Sequence, residues 1–169
     1  QIVHWPRSRR SLRDYSMLIM CSTLYPKEKY IDLYTDFLKK NDKFYFTSME
    51  LVILECLNRE KKEYLEKLKD TVIIERIRDY NVGIVFAEKY RSEVGNYIAQ
   101  EYKNEIDIVA VLNLNRSISL RGININKPAN KFAEMYDGGG HPLAAGMPYP
   151  EDIKQKVITY IFGDENENK

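Results

Sequence analysis

Histidine and cysteine are nearly missing from this chain, with two of each among 169 residues. Cys21 and Cys56 both sit in apolar surroundings at helical spacing, and no Cys-x-x-Cys occurs. That excludes a cysteine-based zinc site or a disulfide framework as the organising feature, and a reducing cytoplasm is the expected setting. No apolar run reaches the roughly 18 residues of a membrane span, and no secretory signal is recognisable. Neither sign of charge prevails: 26 Lys and Arg stand against 25 Asp and Glu, for a net charge of +1. The global basic field of a dedicated duplex-binding protein is therefore absent. Internal repeats are absent too. What remains is 44% hydrophobic and 30% charged, the make-up of an ordinary folded chain. It is long enough for one cored domain, alone or with a helical extension. Tyrosine is plentiful at 13 residues. Such rings can stack bases, though half-buried positions explain most tyrosines.

Residues 1–70 read as a charged helical connector or bundle. Arg7, Arg9, Arg10 and Arg13 follow His4 and Trp5 without an intervening acid. Contact with nucleic-acid phosphates is one reading. A solvated helix start or a linker is the other, and it is preferred because the cluster is modest. Apolar residues over 14–24, and Ile31, Leu33, Tyr34, Phe37 and Leu38 after Pro26, have helical spacing. Thr47-Ser48-Met49-Glu50 has the spacing of a capping box and opens a long helix through Leu54, Leu57, Leu65 and Leu68.

Residues 71–163 change character. The β-branched run Thr71–Ile77 reads as a strand, Asp79-Tyr80-Asn81 as a turn, and Val82–Ala87 as a second strand, so a hairpin is expected. Ser92 is placed to cap a helix bearing Val94, Tyr97, Ile98 and Tyr102. Asp107–Leu112 is a continuous apolar run, as in a central strand buried on both faces. Ser117–Gly122 alternates, placing Ser117, Ser119 and Arg121 on one face. A short helix over 131–136 leads to a glycine-rich loop. A strand over 144–147 and a final amphipathic helix over 151–162, through Ile153, Val157, Ile158 and Ile161, complete the order. Residues 164–169 read as a frayed, disordered tail. The fold class is α/β, an open mixed β-sheet with packed helices, preceded by the helical connector.

The chemistry concentrates in Asp137-Gly138-Gly139-Gly140-His141-Pro142-Leu143-Ala144-Ala145-Gly146. Three consecutive glycines carry an entropic cost that a fold keeps where φ > 0 or a close backbone approach is needed. Free amides in such a loop form a concave nest for an anion, above all phosphate. His141 adds a ring donor at its edge. A tight turn with a surface histidine is the plain alternative. The stretch resembles the signature of the DHH-associated domain, the C-terminal substrate-holding lobe of DHH-family phosphoesterases such as RecJ-like exonucleases and nanoRNase oligoribonucleases. The element order over residues 71–163 is similar to that domain as well. So is Ser119-Leu120-Arg121, since in that family a strand ending in Ser-x-Arg lies beside the glycine loop. The family often has serine after the arginine, where this chain has Gly122, which puts one side-chain hydrogen bond in question and leaves the arginine.

The resemblance implies a clamp for the end of a short single-stranded RNA or DNA, or for a nucleotide. Gly138, Gly139 and Gly140 would hold phosphate or ribose oxygens, His141 would bond phosphate or stack on a base, Arg121 would add a charge-assisted contact, and Ser119 a hydrogen bond. Taken alone, Arg121 could equally be a surface charge on an edge strand, and His141 could cap its own loop. The family's hydrolysis uses a DHH lobe carrying two divalent metals, usually manganese (Mn2+). This chain has only His4 and His141, no Asp-His-His and no Asp-x-Asp, so no metal site or catalytic residue is expected in it. It also begins with Gln1, so the expectation is the C-terminal portion of a longer phosphodiesterase, with the DHH catalytic lobe as its partner in the parent chain, compatible with a homodimer. Two rivals stay open: a tRNA-binding accessory domain like that of alanyl-tRNA synthetases, and a non-enzymatic structural domain.

Overall fold

The computed structural model describes residues 48–163, together with Pro26, Glu28, Lys29, Ile31, Asp32 and Thr35. The arginine cluster at 7–13, the helices expected over 14–24 and most of 26–38, Thr47 with its capping box, Cys21 and the tail from 164 lie outside the described residues. Two compact units part within the first long helix, after Lys62.

Helix α1, Ser48–Lys69, leads into β1, Ile73–Ile77, and β2, Tyr80–Phe86. These form the expected antiparallel hairpin. Its turn falls earlier than the sequence suggests, at Arg78, whose φ is 54°. Tyr80 already belongs to β2 because its ring is buried edge-on against Phe132, with centroids 5.1 Å apart. Helix α2, Arg91–Glu101, follows, and then β3, Ile108–Leu112. Its cap is not Ser92. Tyr90 occupies that position in the left-handed region (φ 55°) with no side-chain cap, and its carbonyl accepts the Val94 N–H at 2.7 Å. The Tyr90 ring instead packs edge-on against Tyr64 at 5.9 Å.

Next come β4, Ile118–Gly122, the short helix α3, Ala129–Glu134, β5, Gly139–His141, β6, Ala144–Met147, and α4, Ile153–Phe162. The six strands among the described residues form one open mixed sheet in the order β1-β2-β3-β4-β6-β5. Only β2 and β3 run parallel, and α2 supplies the crossover that a parallel pair requires. β3 is central and its Ile108, Val109 and Val111 are fully buried, as its unbroken apolar run predicts.

Each sheet face has its own core. On one face, Val82, Ile108, Ala110 and Leu120 pack on Ala129, Phe132 and Ala133 of α3. On the other, Val85, Val109 and Val111 pack on Val94 and Ile98 of α2, with Tyr64, Leu65 and Leu68 of α1 at the margin. Helix α4 departs from expectation. None of its residues is fully buried: Ile153 and Val157 are half-buried, and Ile158, Ile161 and Phe162 are exposed, so its apolar face is only partly covered.

Candidate functional site

The glycine triplet does not form a free loop. Gly139, Gly140 and His141 make the edge strand β5, joined to β6 through Pro142 and Leu143. Gly138 is fixed by the fold: its N–H donates to the Ala133 carbonyl at 2.9 Å, and a Cβ there would run into the Gly146 carbonyl and sit 2.6 Å from Met147 Cβ. Gly140, with φ 142°, takes a conformation that disfavours any side chain. Gly139 faces open space, with nothing within 4 Å of the position a Cβ would take. As an edge strand, β5 leaves the backbone groups turned away from β6 without ladder partners.

Register decides what stands beside this hairpin. Arg121 of β4 is opposite Ala144 of β6, and Ala144 is opposite His141 of β5. One row of residues therefore runs Arg121, Ala144, His141 across three strands on a single face. The neighbouring row on that face runs Ser119, Gly146, Gly139. With strands about 4.8 Å apart, the Arg121 and His141 backbones are separated by about 10 Å. Small residues floor the gap. The intervening row, Leu120, Ala145, Gly140, faces the opposite core, where Leu120 is fully buried.

Two side-chain settings matter. His141 is exposed, and its Nδ1 accepts the Leu143 N–H at 3.2 Å. That bond puts the proton of the neutral ring on Nε2, leaving a donor for a ligand. Arg121 is half-buried, and no hydrogen bond or ion pair to its side chain occurs among the described residues. Its stem passes across Gly95 of α2, where a Cβ would lie 2.6 Å from Arg121 Cγ. Gly95 is a contributor that sequence reasoning missed. The available signal was a glycine inside a helical pattern, which is tolerated at a cost and often has a packing reason. At Gly122 a Cβ would collide with the Pro142 carbonyl, and the Gly122 N–H donates to the Leu143 carbonyl at 3.1 Å. Serine does not fit there without a shift.

Beyond the end of β4, a polar cluster holds the chain in place. Asp107 accepts the Asn81 N–H at 2.8 Å, the Asn124 amide at 3.1 Å and Lys127 Nζ at 2.7 Å. Burial pushes this carboxyl up, but the hydrogen bonds from Lys127, Asn81 and Asn124, with the Lys127 charge, outweigh burial and hold it below the ordinary range. All three partners are structural, so Asp107 is a staple and not a free acid. Among the described residues no group of three His, Cys, Asp or Glu could hold a metal ion, and no helix is long and apolar enough to cross a membrane.

Fold and site together define an open α/β sheet edged by a glycine hairpin, beside an arginine without a side-chain partner among the described residues. No family model matches the chain. Over 126 residues it is 29% identical to oligoribonuclease NrnB of Bacillus subtilis, a stretch covering 74% of this chain and 31% of that protein. The chain thus spans about a third of the length of this relative. An uncharacterized protein from Helicobacter pylori G27 overlays 58% of this chain and 29% of its own, at 22% identity and a TM-score of 0.42. An exopolyphosphatase-related protein from Bacteroides fragilis overlays 91% and 43%, at 14% identity and a TM-score of 0.36. Overlays this loose carry no functional weight.

Proposed function

We propose that this chain is the substrate-holding part of a phosphodiesterase acting on short nucleic acids or nucleotides, gripping a terminal phosphate or nucleotide at the edge hairpin. The carrying observation is the row Arg121, Ala144, His141. A guanidinium without a counter-ion among the described residues and an exposed Nε2–H flank a floor of small residues. The gap suits a phosphate with its sugar, and both groups donate charge-assisted or neutral hydrogen bonds to phosphate oxygens. The β5 amide that points away from β6, one of the alternating pair Gly139 and Gly140, adds a donor, Ser119 adds a hydroxyl on the same face, and Gly138 positions the strand. The likeness to an oligoribonuclease over three quarters of the chain supports short RNA as the substrate. Hydrolysis is assigned to a DHH lobe with two divalent metals, supplied by another part of the parent chain.

The test is calorimetric titration of the chain with a 5′-phosphorylated dinucleotide, in parallel with His141→Ala and Arg121→Ala. Saturable binding that each change weakens ten- to a hundredfold, about 1.5–3 kcal/mol for a lost charged hydrogen bond, is expected. Unchanged affinity in both variants would reduce the hairpin to a turn. Preference for folded tRNA over the dinucleotide would point to the accessory-domain reading instead.

A further inference from the structure

The face that carries Arg121 has a second arginine at its other end. Arg91, the first residue of α2, donates from Nη1 to Ser117 Oγ at 3.3 Å. Ser117, Ser119 and Arg121 alternate onto one face. Arg91 and Gly95 are four residues apart, hence on one side of α2. That side meets Ser117 at Arg91 and Arg121 at Gly95, so one flank of the helix tracks β4. Both arginines are half-buried. Among the described residues neither meets a carboxylate, whereas Lys69, Lys127, Lys131 and Lys156 each pair with an acid. A partly desolvated cation without a counter-ion is unfavourable until an anion completes it. Ser117 and Arg121 are separated by about 13 Å of strand, with Ser119 between them and Gly146 and Gly139 beside it. That length exceeds one phosphate, and the reach of two arginine side chains shortens it.

We infer that Arg91 and Ser117 form a second phosphate subsite, so that this face holds a phosphodiester chain along β4 and the site takes a dinucleotide or longer in preference to a mononucleotide. Ser117 steadies one arm of the Arg91 fork, and the remaining N–H groups and the serine hydroxyl proton serve the phosphate. This rests on the clamp proposed above. Arg121 and His141 hold the terminal phosphate, and Arg91 holds a later one.

The experiment titrates the chain with a nucleoside 5′-monophosphate and with a 5′-phosphorylated dinucleotide, in wild type, Arg91→Gln, Arg91→Lys and Arg121→Gln, with melting temperatures as the folding control. Arg91→Gln is expected to weaken the dinucleotide roughly tenfold or more while leaving the monophosphate unchanged. It should also reduce the slope of log affinity against log salt by about 0.7, one phosphate contact to a single strand. Arg91→Lys, which keeps the charge, should restore part of the affinity. If Arg91→Gln affects both ligands equally, or neither, the second subsite is refuted while the clamp stands. If wild type binds neither ligand, or Arg121→Gln changes neither affinity, the clamp itself fails and the subsite with it.

Discussion

Replacing Gly95 with alanine should separate stability from binding. In the interior of α2, alanine is favoured over glycine by about 0.8–1 kcal/mol. Against this stands one contact: the new Cβ would sit 2.6 Å from Arg121 Cγ, with Val111 Cγ2 at an ordinary 3.5 Å. Cγ lies near the root of the side chain, so relief requires Arg121 to change its χ1, at about 0.5–1.5 kcal/mol. The two terms nearly cancel. Thermal unfolding should therefore shift little, within about 1 kcal/mol of wild type. The guanidinium, however, is carried away from the row it shares with Ala144 and His141. Loss of its contact with phosphate should weaken a 5′-phosphorylated dinucleotide by about 1.5–3 kcal/mol, or ten- to a hundredfold. Calorimetric titration alongside a melting curve reads both quantities on one preparation. Wild-type affinity at wild-type stability would refute the idea that Gly95 places Arg121. A large loss of stability would show that the helix, and not the side chain, had moved.

Other perturbations separate fold from site. His141→Ala removes an exposed ring whose one internal bond is to its own loop, so stability should stay within about 0.5 kcal/mol while dinucleotide affinity drops, as melting and titration will show. Gly138→Ala forces a methyl group against the Gly146 carbonyl and Met147; a loss of about 1–3 kcal/mol in denaturant unfolding is expected. Asp107→Ala strips the acceptor from Asn81, Asn124 and Lys127; chemical denaturation should show a loss of about 3 kcal/mol, at the low end for a broken buried pair because Lys127 reaches solvent. The same carboxyl sets a pH dependence. Its folded pKa lies below the unfolded value, so its stabilisation is complete above about pH 3.9 and fades as pH falls through the folded pKa. The gap in melting temperature between wild type and Asp107→Asn should therefore narrow below about pH 4, and a constant gap would contradict the assignment.

The local signals in this chain were strong where one physical cause dominated. β-Branched content and alternation identify β1–β4 without reference to any partner, since those patterns come from the pleat itself. The unbroken apolar run of β3 announces a strand covered on both faces. The glycine triplet beside His141 marks where backbone must approach backbone, as Gly138 and Gly140 do. Local chemistry failed where burial elsewhere competed with it. Tyr80 leaves a good turn sequence to pack on Phe132, and Tyr90, not Ser92, begins α2. The amphipathic pattern of α4 fixes a helix but not what its apolar side meets: Ile153 and Val157 are half-buried, while Ile158 and Ile161 stay exposed.

From its residues alone, then, the chain determines an open α/β sheet and singles out the glycine stretch as its candidate site. The site belongs to the tertiary structure. Arg121 and His141 lie 20 residues apart, and what aligns them is the register of β6 between β4 and β5. Register is set by which side chains each sheet face must bury, and a slip of one residue would turn Arg121 into the α3 core. Likewise, nothing near Arg121 in sequence reveals that Gly95 makes room for it, because that clearance exists only once α2 lies across β4.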